Sequence, residues 1–162
     1  LALGKKPTFL FDPGVRRNLL RNPITPPYLR RRILEMMDMQ TLYTVRSGSD
    51  VNEHSKMEAV EVMRQKFRSA SGADCANFIF RTEGRCLAYL LRESFSKETI
   101  EELCSREFRS EILVRNLTVF PALPPSLIRH LMRQDIVKRN PNFRNRLLHH
   151  HACPADVKQK NR

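Results

Sequence analysis

The stretch from Arg139 to Pro154, RNPNFRNRLLHHHACP, gathers three arginines, three consecutive histidines and one cysteine. Such side chains could ligate a metal, supply a Cys/His nucleophile pair, or lie along a polyanion. Neighbouring residues on a helix point about 100° apart, so His149, His150 and His151 cannot converge on one ion while helical. His149 and Cys153 are four residues apart, but Cys153 precedes Pro154 and is biased away from helix. Structural zinc takes four ligands at recognisable spacing, and no second Cys/His pair lies nearby. A Cys/His nucleophile would need an orienting group and an oxyanion pocket, and the sequence signals neither. His54 and His130 stand alone, and the acidic cluster within 93–111 falls at exposed helix positions. There is no phosphate-binding loop, dinucleotide fingerprint or zinc-protease motif. The sequence predicts no catalytic residue, no metal and no cofactor.

The third chemistry, contact with a polyanion, has more behind it. The formal net charge is +12, and 21 of the 29 basic residues are Arg. Arg presents a planar fork that grips phosphate bidentately, whereas Lys is a point charge. The charge is also unevenly placed. Residues 1–48 carry net +6, residues 49–116 net −1 and residues 117–162 net +7. A nearly neutral middle is flanked by two basic ends. "VRRNLLRNP" and "KRNPNFRNR" repeat the same Arg/Asn chemistry at both ends. These types contact phosphate and sugar without reading bases, and Phe9, Phe11, Tyr28 and Phe143 are interleaved as candidate stacking partners for unpaired bases. No zinc finger, RNP motif or GXXG loop is present. The residues expected to neutralise RNA phosphates are Arg16, Arg17, Arg21, Arg30, Arg31, Arg32, Arg139, Arg144 and Arg146.

The elements that must position these groups are predicted to be helical. Apolar residues make up 41% of the 162, enough for one modest core, and the five glycines are too few for a loop-rich barrel. Residues 1–25, with three Pro, two Gly and five basic groups, are expected to form an extended basic arm. A helix is expected from Thr25-Pro26 to about Val45, with Leu29, Ile33, Met36 and Met37 on its apolar face. Arg30, Arg31 and Arg32 lie in its first turns, unfavourable for cations unless Glu35 offsets them or an external phosphate binds there. A second helix runs from about Asp50, a capping residue with Glu53 three positions on, to Ser69. The segment 75–95 is helix interrupted near Gly84, and Ser96 to Ile112 is the clearest helix. "FPALPPS" is expected to be a stiff linker leaving the body, followed by a basic helix and a polar tail. No repeat at 20–50 residue spacing is evident. The predicted architecture is mainly α, a small domain of about five or six helices with extended basic N- and C-terminal arms. Its divisions are a 1–25 arm, a 26–116 helical body and a 117–162 Pro-linked basic helix and tail.

Cys75, Cys86, Cys104 and Cys153 have no C-x-x-C spacing and are expected to be buried thiols, which places the chain in a reducing compartment. No run approaches the roughly 18 apolar residues of a membrane helix. The chain starts at Leu1 without Met, consistent with removal of a presequence or with an internal start. Together these features predict a structural, non-catalytic component of a large RNA–protein particle. A mitochondrial ribosomal protein in the matrix fits best, its partners being rRNA or other structured RNA and neighbouring proteins of the assembly. The alternatives are an accessory subunit of a mitochondrial respiratory or ATP-synthase complex, and a small RNA-processing or assembly factor.

Overall fold

The computed structural model describes residues 8–161. Among them are eleven α-helices, two 3-10 helices and no strand. The helical class therefore holds. Among the described residues no helix is long and apolar enough to cross a membrane. The chain divides into two compact units, residues 1–67 and residues 68–162.

In the first unit, the part of the expected arm that is described is helical. A 3-10 helix, Thr8–Phe11, leads into α1, Pro13–Arg21. Asp12 caps α1, its Oδ1 accepting from Gly14 N at 2.7 Å and Val15 N at 3.0 Å. Pro13 at the first helical position completes this start, since its fixed φ suits a helix and its missing N–H costs nothing there. Leu10 and Leu20 are buried inside the unit, while Phe9 and Phe11 of the same segment stay exposed. Residues 1–7 of the expected arm lie outside the described residues. The single helix expected over 26–45 is two helices, α2 (Pro27–Glu35) and α3 (Met39–Ser47). The break is made by Asp38, whose Oδ1 accepts from Thr41 N at 2.7 Å and so starts a new helix. Next comes α4, Glu53–Ser69, whose last two residues belong to the second unit. Asn52 accepts from Ser55 N at its start, taking the capping role expected of Asp50.

The second unit continues with α5 (Gly72–Arg81), a 3-10 helix (Arg85–Tyr89), α6 (Lys97–Cys104), α7 (Glu111–Thr118), α8 (Pro125–Met132), α9 (Asp135–Lys138), α10 (Pro141–His149) and α11 (Ala155–Lys160). The long helix expected over 96–112 stops at Cys104, and Ser110 caps α7 by accepting from Leu113 N. Interruptions of this kind turn the expected five or six helices into a larger number of short ones. The expected linker "FPALPPS" does not leave the body. Phe120 and Leu123 are each 1% exposed, and Phe120 stacks on Phe95 at 5.0 Å.

These short helices form two rows. α5 packs on α6 and α6 on α8, while the 3-10 helix at Arg85–Tyr89 packs on α7 and α7 on α10. The chain passes from the second row to the first through turns with the same hydrogen bonds. Leu90 N donates to Leu87 O and Glu93 N to Leu90 O. Phe120 N donates to Leu117 O and Leu123 N to Phe120 O. His150 N donates to Leu147 O and Cys153 N to His150 O. The turns begin at 90, 120 and 150, thirty residues apart. The same pair of bonds also occurs at Gln134, where Gln134 N donates to Leu131 O and Val137 N to Gln134 O, so it marks a recurring way of ending a short helix.

Two close approaches hold the first rungs. A Cβ on Gly72 would lie 2.5 Å from the Glu98 carbonyl carbon, so the start of α5 sits against the start of α6 only because that position is glycine. After α5 the chain turns through Glu83 (φ 50°) and Gly84 (φ 72°). A non-glycine residue at positive φ is strained and needs its surroundings to hold it. For Glu83 that is done by α7: Asn116 Nδ2 donates to its carbonyl and Ser110 Oγ to its carboxylate, each at 2.9 Å.

Candidate nucleic-acid interface

The arginines singled out from sequence are not one surface. Arg17 and Arg21, both on α1, converge on Asp50. Hydrogen bonds from Arg21 and Arg17 hold the Asp50 carboxyl below its ordinary 3.8. Arg30 is 6% exposed; its Nη2 donates to Glu58 Oε1 at 2.8 Å and its Nη1 to Thr25 O at 3.1 Å. The Glu58 hydrogen bond raises the Arg30 pKa against the opposing effect of burial. Arg30 thus acts inside the unit, joining α2 to α4. Arg31 donates to Glu35 and to Gln65. The unfavourable position of these cations at the start of α2 is offset by protein carboxylates at Arg30 and Arg31.

Arg16 donates to Phe11 O at 3.3 Å, and its Nε is buried with no hydrogen-bond partner among the described residues. Arg16 and Arg17 also line a groove of about 680 Å³ together with Leu20, Met36 and Val45. In the second unit Arg144 donates to Asn161 Oδ1 at 2.9 Å. The side chains of Arg32, Arg139 and Arg146 are exposed and make no hydrogen bond or ion pair among the described residues. Of the aromatics expected near RNA, Phe9, Phe11 and Tyr28 are 51%, 56% and 75% exposed, whereas Phe143 is buried in α10.

The histidine run is built into the last turn. His150 Nδ1 accepts from Ala152 N at 3.2 Å. A neutral imidazole that accepts at one nitrogen carries its proton on the other, so Nε2–H donates to Phe120 O at 3.0 Å. His150 therefore ties the turn at 150 to the turn at 120, and it stacks on His151 at 4.5 Å. His149 instead pairs with Asn145 O, one turn back on α10. Among the described residues no three His, Cys, Asp or Glu come together in a metal-binding group. All four cysteines are free thiols. Burial pushes Cys86 up to about 12, and burial also raises Cys75, Cys104 and Cys153. These thiols are kept protonated, the state of packing groups rather than of nucleophiles.

Sequence reasoning passed over one basic cluster. Arg129 on α8, Arg133 at its C-cap and Lys160 on α11 line a notch of about 130 Å³ with Met132, Asp156, Val157 and Asn161. Arg129 holds Asp156 through Nε at 3.3 Å and Nη2 at 2.9 Å. The available signal was Arg129 and Arg133 at i, i+4 on one helix face.

No protein family, no curated protein and no solved structure matches this chain.

Proposed function

We propose that the protein is a structural, non-catalytic component of a large RNA–protein particle, a mitochondrial ribosome being the assembly that suits it best. The single observation that carries this reading is the charge layout: net +6 and +7 at the two ends against −1 between them. Polyanion binding of this type is sequence-independent and falls steeply with salt. Arg32, Arg139 and Arg146, exposed without internal partners among the described residues, are the arginines best placed for phosphate contact. Arg30 serves instead to hold α2 on α4, and Arg17 and Arg21 to neutralise Asp50. The same reading accounts for exposed Phe9, Phe11 and Tyr28 as contacts to unpaired bases or to neighbouring proteins.

The test is sedimentation of the native protein from organelle lysate, with and without ribonuclease. Co-migration with a ribosomal subunit, lost on RNA digestion, is the expected result. Migration that ribonuclease leaves unchanged would overturn the reading and point to a protein or lipid partner, as in an accessory subunit of a respiratory or ATP-synthase complex.

A further inference from the structure

We propose that the notch between α8 and α11 seats one backbone phosphate of single-stranded RNA. The proposal rests on the RNA reading above and names a place where that contact is made. Three cations line the notch, Arg129, Arg133 and Lys160, against one acid, Asp156. That acid is already committed: it accepts two hydrogen bonds from Arg129, and this pairing lowers its pKa. The side chains of Arg133 and Lys160 are exposed and make no hydrogen bond or ion pair among the described residues, although the Lys160 charge also helps to lower the Asp156 pKa. With three cations and one carboxylate, the notch keeps a net positive charge.

Lysines near the end of α11 also suit the helix dipole, and a solvated basic face would need nothing more. Three features go beyond that. The cations come from two helices, so they border a concavity rather than a single ridge. The Asn161 wall is fixed from behind, because Arg144, outside the notch, donates to Asn161 Oδ1 while Asn161 Nδ2 donates to Val157 O. The size also discriminates: the notch encloses about 130 Å³, room for roughly four waters at liquid density. That is the scale of a phosphate group and not of a stacked base, and no aromatic residue lines the notch. What such a site recognises is a tetrahedral anion with spare acceptor oxygens, held by Arg forks and a Lys point charge. The contact carries no base information.

The experiment uses the full chain and a fluorescent oligouridylate, with affinity measured across a salt series. Arg133→Ala with Lys160→Ala removes two exposed cations and leaves the Arg129–Asp156 pair in place. Arg81→Ala with Arg92→Ala removes the same charge elsewhere on the unit and serves as the matched control. The notch variant is expected to bind roughly tenfold more weakly, with its log–log salt slope shallower by about 1.4, while the control changes far less. Equal losses in the two variants, or none in the notch variant, overturn the notch and leave RNA binding standing. Absence of RNA binding by the unaltered protein overturns the RNA reading, and the notch with it.

Discussion

Arg30 and Glu58 illustrate why an arginine cannot be assigned to RNA from its type alone. The pair is close at 2.8 Å, yet Arg30 Nε and Glu58 Oε2 are buried without hydrogen-bond partners among the described residues. An imperfectly satisfied buried pair contributes little net stability, but removing only its carboxylate strands a charge. Glu58→Ala is therefore expected to lower stability by about 2 kcal/mol, and Arg30→Met by less than about 1 kcal/mol. Urea melts of the two variants would check the order; equal losses would mean that packing of the Arg30 stem, not its charge, matters. Asp50 gives a pH prediction. Its folded pKa is depressed by Arg21 and Arg17 below the ordinary 3.8. The tie is fully stabilising above the unfolded value and is lost as pH falls through the lower folded one. Melting temperatures of Asp50→Asn and the unaltered protein should differ at about pH 6 and converge as the pH falls through the depressed folded pKa of Asp50. A gap that persisted at low pH would assign the effect to something other than the carboxylate charge.

Among helices, the closest approach gives the sharpest test. Gly72→Ala would place a methyl within 2.5 to 2.7 Å of the Glu98–Thr99 backbone, where no flexible side chain can yield. A cost of roughly 3 kcal/mol is expected, seen as a fall in melting temperature, with α5 and α6 exchanging hydrogen faster than α10. Unchanged exchange in α5 would show that the two helices do not meet as described. The helices themselves were largely legible in sequence, because 3.6-residue periodicity and Asp, Ser and Pro caps are local signals. Their boundaries were less so: Asp38 and Ser110 look like ordinary polar positions until the chain is seen to restart there. The arginine chemistry was legible as residue type, but its partners were not. Asp50 is 33 and 29 residues from Arg17 and Arg21, and Glu58 is 28 from Arg30. No local pattern connects positions that far apart. Even so, Leu117, Ala122 and Pro124 around one turn recur as Leu147, Ala152 and Pro154 around the next.

The chain divides into two compact units. In the second, each rung of the two-row array packs on its neighbours, so stability propagates along the row and the last rung is held from one side only. Ending the chain after Pro154 removes α11 and its Arg129–Asp156 and Arg144–Asn161 ties. Circular dichroism and hydrogen exchange of that truncation should show α6, α7 and α8 still protected, with α10 loosened. Collapse of the whole unit would mean that it folds as one block rather than rung by rung. The turns at 90, 120 and 150 have a consequence for the history of such a chain. Each hands the backbone to the next rung through the same hydrogen bonds. A tandem duplication or loss of the thirty residues between two of these turns would join one such turn to another. Descendants of one gene could differ in size by multiples of a single unit and still fold by the same rules.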